Sequence, residues 1–267
     1  MRHRCMILFL LEHELNELNE FMTSEVFNID CMEYMRTLPD NAFELAIADP
    51  PYGISIDLAC MGQGTGVAPD KNSRVKLNKS RMHGAGKLKD RAINKFDTSW
   101  DYEPPKQEFF DELFRISKNQ IIWGGNYFPL PPTRGIICWD KEQTFLNFSQ
   151  WEMAWSSFDT TAKIFRFSNR GFTCPEKQER IHPTQKPIAL YAWLLTHYAK
   201  EGDRIFDPMM GSQSSRIAAY KMGFDYVGCE LDPEYFASGC DRFNEECKGE
   251  IKQKDGSIIK QASLFDL

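Results

Sequence analysis

Asp49, Pro50, Pro51 and Tyr52 follow directly on an apolar run, Phe43 to Ala48, that reads as a buried strand. An acid, two prolines and an aromatic are poor material for continuing a strand. They suit a loop beyond its carboxyl end, where open α/β sheets bind ligands. The prolines stiffen such a loop and remove two N–H donors from it. A carboxylate, a backbone carbonyl and an aromatic face are then held in fixed directions. The Asp49 carboxylate and the Pro50 carbonyl can each accept one N–H of an amino group, and Tyr52 can stack on the ring that carries it. The predicted target is a flat ring bearing an amine. The competing reading is a turn that merely uses proline to end a strand.

The surrounding elements must place that loop. Residues 106–118 have helical spacing, with Phe109, Phe110, Leu113 and Phe114 on one side. Residues 120–125 and 135–139 read as short apolar strands bounded by glycine. A helix over 187–199 has Pro187 in its first turn. Then come a strand over 203–207, a helix over 214–223, a strand over 225–230 and a helix from 233 to 247. This alternation predicts an α/β fold with a doubly wound, mostly parallel sheet. No internal repeat is evident.

A length of 267 residues suits one sizeable α/β domain, or one domain with an insertion. The net charge of −6 excludes a protein that coats nucleic acid or membrane over its whole surface. Eight cysteines, at 5, 31, 60, 138, 174, 229, 240 and 247, form no C-x-x-C pair. They read as reduced thiols of a cytoplasmic protein, many of them buried, with no zinc site. The apolar run Cys5–Leu11 is too short to span a bilayer. It lacks the small-residue cleavage site of a signal peptide. Residues 1–22 read as a short amphipathic helix or as an upstream extension with the working start at Met22.

The Asp49–Tyr52 tetrapeptide resembles the catalytic motif of amino-directed DNA methyltransferases. These enzymes methylate adenine N6 or cytosine N4 with S-adenosyl-L-methionine. The resemblance extends to other motifs of that family. Residues 206–215, FDPMMGSQSS, are similar to its strand-to-helix cofactor turn, which implies cofactor contacts by Asp207, Pro208, Gly211 and Ser212. Gln213 stands where the family usually has a second glycine. Residues 227–236, VGCELDPEYF, resemble the next motif. There Glu230 would accept bonds from ribose hydroxyls, with Asp232 a second candidate that could instead cap the following helix. HPTQKP (182–187) is similar to the segment that closes over the cofactor, which adds Lys186. The lead-in NIDCMEYM implies that Asp30 bonds the cofactor adenine. The catalytic motif precedes the cofactor motif, the circularly permuted order of the beta class.

Adenine N6 is a poor nucleophile because its lone pair is delocalised into the ring. Accepting both N–H bonds favours a more tetrahedral nitrogen and in-line methyl transfer without a covalent enzyme intermediate. The base must first leave the duplex. A cytosine C5 enzyme would need a nucleophilic cysteine in a Pro-Cys context, whereas Cys174 sits in the order Cys-Pro. Aspartate at the first motif position follows the family tendency towards adenine.

Residues 71–95 carry nine Lys or Arg against one acid, a charge of +8 on a chain whose remainder carries −14. A basic loop over 57–99 that follows the catalytic strand suits phosphate contact, with Lys76, Lys79, Arg81 and Lys87 as candidates. A solvated charge run is the alternative. A short recognition segment is expected over about 140–181. WGGNYF (123–128) also recurs in the family, and its Asn126 and Tyr127 would line the base pocket or serve as turn and packing residues. Residues 249–267 read as a flexible tail ending in QASLFDL. This end resembles the pentapeptide by which bacterial replication proteins dock on the sliding clamp, with Gln261, Leu264 and Phe265 as anchors.

The expectation is therefore an adenine-N6 DNA methyltransferase domain over 23–248, phage- or prophage-type. It would act on duplex DNA as part of restriction–modification or as a lone modifier. A homodimer is a further expectation, with no membrane partner and no metal. An N4-cytosine enzyme, an RNA or protein-amide methyltransferase, and a non-catalytic DNA-binding protein are the alternatives.

Overall fold

The computed structural model describes residues 23–54, 101–143, 149–168, 180–253 and 256–260. Eight strands form one sheet: β1 (Ser24–Asn28), β2 (Phe43–Ala48), β3 (Ser117–Trp123), β4 (Ile137–Asp140), β5 (Trp151–Ser156), β6 (Lys163–Arg166), β7 (Arg204–Asp207) and β8 (Asp225–Glu230). Their spatial order is β1-β8-β7-β2-β3-β5-β4-β6. Neighbours from β1 to β3 are parallel, β5 is antiparallel to both β3 and β4, and β6 is parallel to β4. The helices are α1 (Cys31–Met35), α2 (Gln107–Ile116), α3 (Ile188–Tyr198), α4 (Ser214–Lys221) and α5 (Pro233–Lys248). This is the expected α/β, mostly parallel, doubly wound sheet.

Strand alternation divides the core in two. Leu45, Ile47, Ile121 and Trp123 pack in one cluster with Leu190, Leu194 and Ile217 of α3 and α4. Ala46, Ala48 and Ile122 pack in the other with Met35 of α1 and Phe110 and Leu113 of α2. Because both faces are covered, β2 reads as a continuous apolar run rather than an alternating one.

The path of the chain places the site. After β7 it crosses through α4 to β8 on one side; after β2 it continues to β3 on the other. β7 and β2 are adjacent, with Ala46 opposite Phe206. The carboxyl ends of β7 and β2 therefore flank the switch point, where a crevice for ligand opens.

Two readings are corrected. Helix α2 ends at Ile116 and the next strand begins at once, three residues earlier than the spacing predicts. The Ser117 hydroxyl donates to the Leu113 carbonyl (2.5 Å) and closes the last turn, so the chain needs no loop. Within the expected segment over about 140–181, β5 and β6 pair in the main sheet. Residues 249–260 are not a plain tether. Gly249 caps α5 at φ +64, and β9 (Glu250–Lys252) and β10 (Ile258–Lys260) form an antiparallel hairpin. The extension 1–22, the basic loop with Lys76, Lys79, Arg81 and Lys87, and the anchors Gln261, Leu264 and Phe265 lie outside the described residues.

Among the described residues, Cys31, Cys138, Cys229, Cys240 and Cys247 are free thiols. No described helix is long and apolar enough to cross a membrane. No described group of three or more His, Cys, Asp or Glu could hold a metal ion.

Candidate active site

Asp49 leaves the end of β2 at the switch point, with Pro50 buried behind it. Both of its carboxylate oxygens are engaged. The Tyr52 hydroxyl donates to Oδ1 (2.8 Å), and the Lys186 ammonium donates to Oδ2. Tyr52 thus turns its hydroxyl inward onto Asp49, and its ring stacks on Tyr127 at 5.1 Å between centroids. Tyr127 is 47% exposed and is the outer layer of this stack. Burial, then the nearby Asp49 charge, pushes the Tyr52 phenol well above its ordinary range, so it acts here as a donor.

The loop is fixed from below. The Asp101 carboxylate, 3% exposed, accepts from the backbone N–H of Tyr52 (2.8 Å) and of Gly53 (3.2 Å). Gly53 is left-handed (φ +69), and a Cβ there would stand 2.6 Å from Pro104 Cδ. Gly124 is also left-handed, and a Cβ on it would stand 2.3 Å from Tyr52 Cε1. The first glycine of WGGNYF thus gives the Tyr52 ring its bed.

Lys186 is placed differently from its expected role with the cofactor. Its carbonyl is held by the Ser214 hydroxyl (2.7 Å) at the start of α4, but its ammonium reaches across the crevice to Asp49. Its side chain is 4% exposed. Glu152 of β5 lies 3.4 Å away through Oε2, and Lys141 pairs with the other oxygen of Glu152. Two carboxylates and two ammoniums make a neutral buried chain, Asp49–Lys186–Glu152–Lys141. Burial lowers the Lys186 ammonium, but the Asp49 and Glu152 charges outweigh it and the net direction is up. Burial likewise raises Glu152, and the two lysines reverse it to a net lowering. Both shifts favour the charged forms of Lys186 and Glu152.

The second half of the crevice is the turn after β7. Asp207 is 2% exposed and does not face a ligand. Its oxygens accept from Met209 N (3.0 Å) and Ser215 Oγ (2.5 Å), so it shapes the turn. Burial, despite those two bonds, lifts its carboxyl to about 7. Pro208 is buried in the same turn. Gly211 is left-handed (φ +47), and its N–H donates to Glu230 Oε2 (2.8 Å). Glu230 Oε1 accepts from Asp232 N (2.9 Å), and burial raises its carboxyl above the ordinary range. Asp232 is the N-cap of α5, accepting from Glu234 N and Tyr235 N, so capping claims it. Asp30 caps α1 through Met32 N (2.7 Å) and lies exposed beyond the end of β1. Ser212 is buried, with its carbonyl held by Arg242 (2.6 Å).

Gln213 has a structural answer. It sits at φ +59, the conformation for which glycine is the usual choice. Its side chain is 0% exposed and turns away from the crevice into α5. There Nε2 donates to the Phe236 carbonyl (3.2 Å), and Oε1 accepts from Arg216 (2.9 Å). Gly239 makes the room, since a Cβ there would stand 2.7 Å from Gln213 Cγ.

Four residues of this site were not singled out from sequence: Asp101, Gly124, Glu152 and His182. His182 lies beside Gly211 and meets the Tyr235 ring at 4.4 Å; burial, then the Lys186 charge, lowers it to about 3, so it is a neutral imidazole. His182 and Gly124 lie within HPTQKP and WGGNYF, whereas Asp101 and Glu152 carry no local signal.

An acid-and-aromatic loop and a Gly-Glu turn thus lie on the two sides of an α/β switch point, where such folds bind ligands. Residues 142–239 match the N6/N4 methyltransferase family model, described as DNA methylase. The chain is 25% identical over 279 residues to the type II methyltransferase M2.MboI of Moraxella bovis, covering 90% of this chain and 95% of that protein. It is 23% identical over 260 residues to the type II methyltransferase M.HinfI of Haemophilus influenzae, covering 82% and 67%. The fold is that of PvuII DNA methyltransferase (cytosine-N4-specific), with a TM-score of 0.50, 13% identity, and 86% and 95% of the two chains covered. Over residues 142–239 the chain is thus similar to a DNA methylase family, and along most of its length to type II methyltransferases.

Proposed function

We propose that the protein methylates adenine N6 in duplex DNA, using S-adenosyl-L-methionine and a direct transfer onto the amino nitrogen. The observation that carries this is the Asp49 carboxylate at the switch point, already bonded to an amine, the ammonium of Lys186. A site built to accept N–H donors from nitrogen is what an exocyclic amino group requires.

The cofactor fits the other half of the crevice. A nucleoside needs hydroxyl acceptors and a close backbone turn. Glu230 keeps lone pairs beyond its two backbone donors, and Gly211 presents its main chain without a side chain. Glu230, Gly211, Asp30 and the neutral His182 ring would hold it, while Asp207, Pro208 and Ser212 shape the turn. When bound, the cofactor supplies an electrophilic methyl group. The chain's own residues do the rest. Asp49 and the Pro50 carbonyl take the two N–H bonds and aim the nitrogen lone pair. Pro51 stiffens the loop, and Tyr52 with Tyr127 offers aromatic surface to the flipped base.

Aspartate at position 49 favours adenine over cytosine N4. The basic loop with Lys76, Lys79, Arg81 and Lys87 would neutralise phosphates beside the flipped base. Gln261, Leu264 and Phe265 would dock on the sliding clamp, and Leu264→Ala with Phe265→Ala should then abolish binding to purified clamp. The permuted motif order, the phage-type setting and a dimer belong to the same proposal.

The test is transfer of label from tritiated S-adenosyl-L-methionine to unmethylated duplex DNA, followed by nucleoside analysis, with Asp49→Ala alongside. Label in N6-methyladenosine that the variant loses is the expected result. Label in N4-methylcytosine would overturn the choice of base. Label on RNA or protein alone would overturn the DNA reading.

A further inference from the structure

Asp49 is not waiting open for substrate. Its Oδ2 is taken by Lys186, whose ammonium is a primary amine's charged form and stands where the target's amino group must bond. The Lys186 side chain is only 4% exposed. Three acceptors surround it: Asp49, the Tyr52 hydroxyl at 3.4 Å and Glu152 at 3.4 Å. The main chain of Lys186 is pinned by Ser214, so only the tip of the side chain is free to move. Glu152 is held in turn by Lys141, whose side chain is 14% exposed.

We propose that Lys186 is an internal stand-in for the substrate amine, and that Glu152 is the positioning residue that receives its ammonium when the target's amino group takes Asp49. The proposal rests on the amino-transfer reading above and assigns a step within it. A buried ammonium released from one carboxylate must find another within reach, or the displacement leaves an uncompensated charge. Glu152 provides that acceptor a short swing away. Asp49 keeps Tyr52 on its other oxygen and gains the N–H of the incoming amine. After the exchange the Asp49 carboxylate is held by two neutral donors, the Tyr52 hydroxyl and the substrate N–H, while the Lys186 ammonium stays paired with Glu152. No bond is made or broken; one N–H donor replaces another. A target that donates no N–H to Asp49 leaves Lys186 in place, so the exchange also selects for amino groups.

The test is a pair of variants in the full chain. Glu152→Gln removes the receiving charge and should lower kcat/KM for DNA by about tenfold or more. Lys186→Met in that background removes the stand-in and restores net neutrality, so the double variant should regain most of the loss. The dissociation constant of S-adenosyl-L-methionine, measured by calorimetry, should stay unchanged throughout. Turnover of Glu152→Gln equal to wild type, or a double variant worse than Glu152→Gln alone, overturns the proposal. If Glu152→Gln does not fold, Glu152→Asp keeps the charge but withdraws it by one methylene; lower turnover at unchanged cofactor affinity is expected, and wild-type turnover would refute the exchange. Wild-type protein run in parallel separates the two readings, because absence of any label on amino nitrogen there sinks the function itself.

Discussion

Gly124 lies against the ring of Tyr52: a Cβ added to the glycine would stand 2.3 Å from Cε1 of the tyrosine. The two residues are 72 positions apart in sequence, yet one sets the pose of the other. Gly124→Ala should push the ring off its bed and break the Tyr52–Asp49 hydrogen bond. Its backbone, at φ +69, should add about 1–2 kcal/mol of strain. The expected outcome is a lower melting temperature and a large loss of methyl transfer, with cofactor binding retained. Wild-type transfer by Gly124→Ala would show that the observed pose of Tyr52 does not matter.

Asp101 holds the same loop through its backbone. Asp101→Ala leaves the N–H groups of Tyr52 and Gly53 without their acceptor, at about 1–3 kcal/mol each. Asp101→Asn keeps an oxygen in place and should cost much less. Chemical denaturation of the two variants measures the difference, and the loss of methyl transfer should follow the same order. Equal destabilisation by Ala and Asn would point to the charge rather than to the two bonds.

Asp207 predicts a pH dependence of stability. Its carboxyl is raised to about 7 by burial, so the folded protein holds a proton that the unfolded chain releases at ordinary carboxylate pH. A raised folded value means stability is fully present below the unfolded pKa and is lost as pH climbs towards 7. The slope in that window should approach about −1.4 kcal/mol per pH unit from this group. Asp207→Asn should remove that component. Melting temperatures from pH 4 to 8 check it, and parallel curves for wild type and variant would refute the assignment.

Much of this was legible because local chemistry and global position agreed. FELAIA followed by DPPY announces a buried strand and a rigid loop at its carboxyl end, and β2 runs over those residues. Glu230 could be placed because β8 ends on it. What stayed hidden depends on contacts distant in sequence. The HPTQKP resemblance places Lys186 beside the cofactor, but its long side chain crosses the crevice to a residue 137 positions away. Glu152 lies in a strand whose pattern reads as framework, and only the antiparallel pairing of β5 brings it to the same edge as Asp49. The hairpin at 250–260 was hidden by its polar composition, since a two-stranded ribbon needs little apolar surface to be outlined by its backbone bonds.

Gln213 and Gly239 make the last prediction. A glutamine in the left-handed conformation costs about 1–2 kcal/mol relative to glycine, and this chain bears that cost where the resemblance leads one to expect glycine. The side chain offsets it with bonds to Phe236 and Arg216, in space that exists because residue 239 has no side chain. Gly239→Ala should therefore destabilise by about 1–3 kcal/mol through overpacking, although alanine is the better helix former. Gln213→Gly relieves the backbone but opens a void and removes a partner of the buried Arg216. Combined, the new methyl group occupies part of that void, and the double variant should be more stable than Gly239→Ala alone. The coupling between the two changes should be favourable by about 0.5–3 kcal/mol in a double-mutant cycle of denaturation free energies. Additive effects would mean that the glutamine and the glycine are not a matched pair.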